Sequence, residues 1–235
     1  VGADVGVQIE TAKLWRRLES AKTPRIIFIN GMDKEHADFD SVIDNLSQTL
    51  GGTFAPLSVP IGAGDNFEGV VDVVGQRSLL RSGANGAAVP ENMNDAISER
   101  RIALMEGAVE GDDALMEKYL EEETLSDEEI ARGLTAAVSS GEVFPVLAGS
   151  ALHNVGVPLL LDTIVQTVPS PAGRTLQIDN TDDEATERDI NPSAPASALV
   201  IKTSVDQYAG RLSFIKMITG SLRSDTDLIC ARTGS

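Results

Sequence analysis

The stretch that decides the fold is RIIFINGMD, residues 25–33. Residues 26–29 are an uninterrupted apolar run of β-branched and aromatic side chains, and a polar turn follows them. This pattern predicts a strand buried on both faces, as in the centre of a parallel sheet. The strand ends at Asn30 and Asp33. Open α/β sheets bind ligands at the carboxyl ends of their strands, so these two side chains are candidate ligand contacts.

An asparagine and an aspartate at such an edge can recognise a purine base. The Asp33 carboxylate only accepts hydrogen bonds, so it suits the neighbouring N–H donors of guanine and would repel the ring acceptor of adenine. The Asn30 amide can bond the other side of the ring and hold neighbouring loops together. A structural alternative remains open, because Asn and Asp are common turn formers and can close the strand as an Asx turn.

A second stretch, VFPVLAGSAL at residues 143–152, predicts another buried strand that ends in a turn of small residues. Small side chains let backbone N–H groups approach a ligand oxygen. Together the two stretches resemble the guanine-recognition half of a translational GTPase, with Asn-Lys-X-Asp after one strand and Ser-Ala after the next. The resemblance to bacterial elongation factor G, or to an elongation factor G-like paralogue, covers nearly the whole chain, with the matching residues at 24–39, 56–74, 116–125, 142–152 and 169–171.

The resemblance implies a site, a ligand and an activity for the parent protein. The implied nucleotide-binding residues are Asn30, Gly31, Met32, Asp33, Ser150, Ala151 and Leu152. The parent would bind GTP or GDP and hydrolyse GTP on the ribosome during translocation. The family's phosphate loop and its Asp-X-X-Gly segment at the magnesium ion lie upstream of the matched residues. We therefore expect a fragment that is not catalytic alone, without catalytic or metal-binding residues, and we leave its enzymatic status open.

One departure from the family pattern leaves a second interpretation open. The family has a lysine where this chain has Gly31. In the family that side chain lies over the guanine ring and braces the phosphate loop. The alternative function is therefore that of a paralogue with weakened or lost nucleotide binding, acting as a ribosome-binding or interaction protein. A further alternative is an adhesive interaction module built on the acidic part of the chain.

Composition narrows the possible partners and compartments. The net charge of −17 over 235 residues argues against binding along a nucleic-acid backbone, so we expect no direct DNA binding. No apolar run is long enough to span a bilayer, and no secretory leader opens the chain. The single cysteine, Cys230, excludes an internal disulfide. This usage is typical of a reducing compartment and predicts a cytoplasmic protein without a membrane partner.

The predicted fold class is α/β: a partial P-loop GTPase-type sheet, an inserted α+β subdomain, and the first strands of an antiparallel β-barrel. Asp33 and Ser150 lie much further apart than the roughly 30 to 40 residues of a plain strand–helix–strand unit, which indicates an insertion. We divide the chain into a partial G domain at 1–61 and 142–172, an insert at 62–141, a linker at 173–196, and the barrel start at 197–235. The resemblance implies that the insert is the G-prime subdomain, whose partner is the ribosomal stalk protein.

Residue patterns predict the remaining elements. Apolar periodicity predicts helices at 5–21, 39–50, 95–110, 113–121, 127–140 and 157–168, with caps at Asn94, Asp112 and Ser126. Alternation predicts strands at 53–61, 67–74, 78–81, 197–203, 211–219 and 227–231, a loop at 82–90, and a flexible stretch at 181–184. The acidic runs at 121–123 and 127–129 are typical of solvated helix faces. We expect His36 and His153 to be surface or capping residues.

Overall fold

The computed structural model describes residues 1–110, 112–172, 174–179, 185–231 and 233. The chain divides into two units, Val1–Pro169 and Ser170–Ser235. In the first unit the helices and strands are, in chain order, α1 (Ile9–Ser20), β1 (Ile27–Asn30), α2 (Phe39–Leu50), β2 (Thr53–Pro56), β3 (Ser58–Ile61), β4 (Gly69–Asp72), β5 (Arg77–Leu80), β6 (Asn85–Ala87), α3 (Asn94–Val109), α4 (Asp113–Glu122), α5 (Asp127–Ser140), β7 (Val143–Gly149) and α6 (Val157–Thr167). None of the helices in the described ranges is both long and apolar enough to cross a membrane.

A three-stranded parallel sheet in the order β1-β7-β2 forms the base of the first unit. The prediction that residues 26–29 form the central strand was wrong, because β7 pairs on both sides and is buried at every position. The outer side of β1 carries the first residues of the chain instead. The Asn30 N–H donates to the Val1 carbonyl, and the Ala3 N–H donates to the Asn30 carbonyl, each at 2.9 Å.

Aromatic packing fixes α1 on the parallel sheet. Trp15 is the buried residue of α1, and its ring lies 4.6 Å from that of Phe144 and 5.6 Å from that of Phe54. The guanidinium of Arg25 lies over the Trp15 ring at 4.1 Å and over the Phe144 ring at 4.5 Å. The helix begins later than predicted. Its first residue is Ile9, whose side chain is 75% exposed.

The strand predicted at 53–61 is two strands in two sheets. Residues Thr53–Pro56 pair with β7 in the parallel sheet, whereas Ser58–Ile61 pair with β4. Leu57 joins them, and its N–H donates to the Val146 carbonyl at 2.8 Å. The Ser58 hydroxyl accepts a hydrogen bond from the Ala148 N–H at 2.8 Å. The inserted sheet, in the order β3-β4-β5-β6, therefore branches directly from the parallel sheet.

The inserted helices begin and pack largely as their sequence indicates. Ser126 and Glu129 form the predicted capping box at the start of α5, and Asp112 caps α4. Asn94 is not a cap, because a 3-10 turn at Glu91–Met93 runs straight into α3 and makes Asn94 its first residue. A side chain at Gly133 of α5 would meet the Ala108 carbonyl of α3 at 2.2 Å, so this glycine permits the close approach of the two helices.

Two predictions for the inserted sheet and the second unit change in detail. The loop predicted at 82–90 contains β6, which pairs with β5 after the turn at Gly83. The expected linker at 173–196 contains an antiparallel pair, β8 (Thr175–Asp179) and β9 (Ala185–Asp189). The flexible stretch predicted at 181–184 lies outside the described residues, and the domain division stays a prediction.

The second unit also contains the hairpin of β10 (Ser197–Asp206) and β11 (Gly210–Thr219). It extends the strands predicted at 197–203 and 211–219. The strand predicted at 227–231 was wrong: residues 227–230 have no regular structure, and a turn follows in which the Thr233 N–H donates to the Cys230 carbonyl at 3.1 Å. Alternating apolar residues form a strand only where a neighbouring strand supplies hydrogen bonds, and residues 227–231 have no strand partner in the described chain.

Candidate functional site

The carboxyl ends of β1 and β7 meet at one edge of the parallel sheet. Asn30 stands opposite Gly149 in the register of the two strands. The N–H groups of Gly31 and Met32 both donate to the Gly149 carbonyl, at 3.0 and 3.1 Å. The Asn30 side-chain oxygen accepts a hydrogen bond from the Ala151 N–H at 2.9 Å. The two loops that leave the strands are therefore locked together.

The loop after β1 is a turn that needs a glycine. Gly31 has a φ of +83°, and its carbonyl accepts a hydrogen bond from the Lys34 N–H at 3.0 Å. A side chain at residue 31 would meet Cδ and Cε of Lys34 at 3.1 Å. The stem of Lys34 thus lies against Gly31, and its ammonium pairs with Asp4 Oδ2 at 3.2 Å.

The loop after β7 is tied by its own backbone. Ser150 is fully buried and exchanges two backbone hydrogen bonds with Val155, at 3.0 and 2.9 Å. Its hydroxyl oxygen accepts a hydrogen bond from the His153 N–H at 3.3 Å. A side chain at Gly149 would meet the Val155 carbonyl at 2.2 Å. The small residues that drew attention to this turn are therefore required by its tight geometry.

Asp33 projects from the first loop towards the second, and its side chain is 14% exposed. A hydrogen bond from the Ser150 hydroxyl lowers the pKa of Asp33 below its ordinary value. Burial opposes this shift, while the backbone N–H of Asp33 and the neighbouring side chains of His153 and Arg81 reinforce it. The carboxyl group is therefore ionised at neutral pH and can only accept hydrogen bonds.

Two further side chains approach Asp33 without having been predicted. His153 Nε2 lies 3.6 Å from Asp33 Oδ2, and Arg81 NH2 lies 3.4 Å from His153 Nδ1. His153 is thus more than the surface or capping residue that we predicted, whereas the side chain of His36 is 85% exposed. Arg81 and His153 are 72 positions apart, and no local pattern marks either residue as part of a site.

The structure brings together four of the predicted site residues, Asn30, Asp33, Ser150 and Ala151. Gly31 belongs to the same turn. Met32 is fully buried, and its contact with the second loop is the hydrogen bond from its N–H to the Gly149 carbonyl. Leu152 is 81% exposed, and its predicted contact with the base stays a prediction. The resulting edge offers one ionised carboxylate, one primary amide and a tight backbone turn, a set suited to hydrogen bonding with a flat heterocycle.

Comparison with known proteins matches this chain to a protein family and to solved structures. The family model described as the elongation factor Tu GTP binding domain matches residues 1–170. The crystal structure of a protein from Thermus thermophilus superimposes with a TM-score of 0.76 at 28% sequence identity. The match covers 94% of this chain and 31% of that one, so the present chain spans about a third of the length of the solved protein. Both loops of the site lie within the residues that match the family.

Proposed function

Because this chain belongs to the elongation factor Tu GTP-binding domain family, we propose that its two locked loops recognise the guanine base of GTP or GDP. The observation that carries the proposal is the ionised Asp33 carboxylate beside Ser150, at the carboxyl ends of adjacent parallel strands. Guanine presents two neighbouring N–H donors on one edge, which a carboxylate can accept together. Adenine presents an acceptor there and would be repelled.

The neighbouring amide supplies the second half of the proposed recognition. The Asn30 oxygen is bonded to the Ala151 N–H, so the amide nitrogen is the group left to donate to a ring acceptor of the base. The same hydrogen bond keeps the second loop at a fixed distance from the first. Ser150 donates to Asp33 and is fully buried, so its role is to orient the carboxylate rather than to touch the ligand.

The proposal extends to a parent protein that resembles elongation factor G. Such a protein would act in the cytoplasm on the ribosome, hydrolysing GTP during translocation. The residues of the present site would select the base, and none of them is assigned to hydrolysis. The family match and the α/β fold with its inserted subdomain support this part of the proposal.

A nucleotide titration followed by NMR tests base recognition in this chain. The chain contains no Gly-X-X-X-X-Gly-Lys-(Ser/Thr) segment. Phosphate contacts of that kind supply most of the affinity in such sites, so we expect a dissociation constant of about 1 mM or weaker, which corresponds to roughly −4 kcal/mol. GDP should shift the amide signals of residues 30–33 and 150–155, and ADP should not. Equal shifts with both nucleotides would contradict base recognition.

A substitution sharpens the test of Asp33. The Asp33→Asn variant replaces an acceptor by a donor, so it should bind xanthosine diphosphate better than GDP. Asp44→Asn makes the same change on the exposed face of α2 and serves as the control. If the preference for GDP over xanthosine diphosphate is the same in wild type and Asp33→Asn, the role given to Asp33 is wrong.

We also propose that the inserted helices carry a partner surface, for which the family resemblance suggests the ribosomal stalk protein. Helix α4 exposes Leu120 at 75% and Met116 at 36%, and exposed acidic residues at 121–123 adjoin them. Apolar side chains beside charges are typical of partner surfaces. Titration of the labelled stalk C-terminal domain with this chain tests the proposal, and unchanged spectra at high concentration would refute it.

Gly31 supports a second candidate function, an elongation factor G-like paralogue with weakened nucleotide binding that acts as a ribosome-binding protein. Residue 31 has no side chain to lay over the base, and its φ of +83° disfavours acquiring one. Growth of a conditional translocase mutant, complemented with the gene for the complete protein, distinguishes the two functions. Restored growth indicates a translocase, and absent growth with retained ribosome binding indicates the paralogue.

A further inference from the structure

A row of three side chains connects the inserted sheet with Asp33. Arg81 follows the last residue of β5, and its NH2 group lies 3.4 Å from His153 Nδ1. His153 Nε2 in turn lies 3.6 Å from Asp33 Oδ2. Each of the three residues comes from a different segment of the chain. The contact therefore exists only because the inserted sheet folds against the loop after β7.

The chemistry of the three groups fixes the position of the imidazole proton. A guanidinium can only donate hydrogen bonds, so His153 Nδ1 faces Arg81 as an acceptor. The single ring proton of a neutral imidazole then lies on Nε2, which faces the Asp33 carboxylate. At 3.6 Å this contact is longer than a hydrogen bond, so it acts as an attraction between the N–H dipole and the carboxylate charge.

Hydrogen bonds from their backbone N–H groups hold Arg81 and His153 in place. The Arg81 N–H donates to the Glu68 carbonyl at 2.7 Å, and the turn that follows is closed by a bond from the Gly83 N–H to the Leu80 carbonyl at 2.9 Å. The His153 N–H donates to the Ser150 hydroxyl oxygen at 3.3 Å. These hydrogen bonds restrict the backbone of Arg81 and of His153, so their side chains start from neighbouring positions.

We propose that Arg81 and His153 are positioning residues for base recognition, with Arg81 selecting the imidazole tautomer and His153 holding the Asp33 carboxylate towards the guanine edge. This inference rests on the proposed function of Asp33. Arg81 belongs to the inserted subdomain, and Asp33 belongs to the parallel-sheet core. The pair therefore couples the position of the inserted sheet to the affinity for the base.

The first test needs no nucleotide. Nitrogen-15 NMR of the His153 ring reports which nitrogen carries the proton. We expect the Nε2–H form in the wild-type chain and a mixture of both forms in Arg81→Met, which keeps an unbranched apolar stem and removes the donor. Arg132→Met, on the exposed side of α5, removes the same charge elsewhere and should leave the His153 signal unchanged. An unchanged tautomer in Arg81→Met overturns the inference.

The second test measures the affinity for GDP by NMR titration. Arg81→Met and His153→Leu should each weaken binding about threefold to tenfold, as expected for the loss of one orienting polar contact. The double variant should be no weaker than His153→Leu alone, because both residues act through the same carboxylate. His153→Gln, whose amide nitrogen can donate towards Asp33, should retain more affinity than His153→Leu.

The outcomes distinguish failure of the proposed base recognition from failure of the role given to Arg81 and His153. A wild-type chain without any preference for GDP over ADP overturns the proposed function, and with it the role of the pair. A wild-type chain that prefers GDP, with unchanged affinity in both Arg81→Met and His153→Leu, overturns the role of the pair alone. Weakened affinity in these two variants but not in Arg132→Met supports the inference.

Discussion

The side-chain oxygen of Asn30 accepts a hydrogen bond from the Ala151 N–H at 2.9 Å, across 121 positions of sequence. This contact joins the loop that leaves β1 to the loop that leaves β7. The entire inserted subdomain lies between the two residues in sequence. The Asn30 amide therefore adds a side-chain contact to the backbone hydrogen bonds from Gly31 and Met32 to Gly149 that already join the two loops.

Removal of the Asn30 acceptor should release the second loop. Asn30→Ala leaves the Ala151 N–H without its partner, and a neutral hydrogen bond contributes about 1 kcal/mol. Hydrogen exchange at Ala151 should accelerate by roughly fivefold, which corresponds to that free energy. Asn30→Asp keeps an acceptor oxygen and should preserve the protection. Equal exchange rates in wild type and Asn30→Ala would show that the bond does not hold the loop.

The buried Arg25 should be replaceable by an apolar side chain of similar length. Burial lowers the pKa of Arg25, and its Nε atom has no hydrogen-bond partner within the described ranges. The cation–π contacts with Trp15 and Phe144 offset this cost, since such contacts contribute about 0.5 to 2 kcal/mol. Arg25→Met should therefore change the free energy of unfolding by less than about 1 kcal/mol.

The matched variant at the same position is Arg25→Ala. It removes the stem that packs between the rings and should destabilise by about 2 to 3 kcal/mol through the cavity it leaves. Urea denaturation of both variants and of the wild type measures their free energies of unfolding and so the order of their stabilities. If Met destabilises as much as Ala, the guanidinium contributes more than its apolar stem, contrary to this account.

Acid should weaken the start of α5 through Glu129. A hydrogen bond from Lys118, at 2.8 Å, and others from Ser126 lower the pKa of Glu129 from 4.5 to about 2. A lowered pKa in the folded state means that the stabilisation is complete above pH 4.5 and is lost as the pH falls through about 2. Glu129→Gln should therefore flatten the dependence of stability on pH within this interval.

Carbon-13 NMR of the Glu129 carboxyl group measures the pKa directly. The Lys118→Met variant should raise this pKa towards its ordinary value, and high salt should raise it slightly in the wild type because the pair is partly exposed to solvent. Glu128→Gln, at the exposed neighbouring position, provides the control and should leave the acid dependence of unfolding unchanged. A Glu129 pKa near 4.5 in wild type would contradict the network described.

The stem of Lys34 and the stem of a lysine introduced at residue 31 should cover the same face of the base. The Lys34 stem already lies against Gly31, so Lys34→Ala should weaken GDP binding by removing this apolar cover. Gly31→Lys adds a stem that buries roughly 40 to 60 Å² of apolar area, or about 1 to 1.5 kcal/mol. Because the Lys34 stem already covers this face, the change should gain little affinity in the wild type, while the left-handed backbone at residue 31 costs about 1 to 2 kcal/mol of stability for a lysine.

The comparison that decides this prediction is the double variant. In the Lys34→Ala background the face is uncovered, so Gly31→Lys should recover part of the lost affinity. NMR titration with GDP measures all four combinations, and their non-additivity is the expected result. Strictly additive effects would show that Lys34 and residue 31 do not share one surface.

The sequence predicts the two strands and the edge at which they meet, because the signal for each is local. The apolar runs before Asn30 and Gly149 identify both strands, and the polar residues after them identify the edge at which they meet. Arg81 and His153 escape prediction because their contact depends on how the inserted sheet folds against the core. Met32 is buried for the same kind of reason, since its neighbours come from distant segments.

The order of the strands was the main error in the fold. The apolar run at 26–29 indicates burial but does not reveal which neighbour provides it. The run at 143–149 is longer, and β7 pairs on both of its sides. A single apolar pattern therefore predicts that a strand is buried, whereas its rank within the sheet depends on pairings that only the whole chain determines.

The continuous segment that runs from β2 through Leu57 into β3 bears on how this architecture changes over evolution. Residues 53–56 of this segment belong to the parallel sheet, and residues 58–61 belong to the inserted sheet. A lineage that lost the inserted sheet would also lose the hydrogen bond between the Ser58 hydroxyl and the Ala148 N–H on β7. Deletion of the inserted sheet therefore requires compensating changes in the parallel sheet. We expect related proteins to vary in the inserted helices and to keep the segment at residues 53–61.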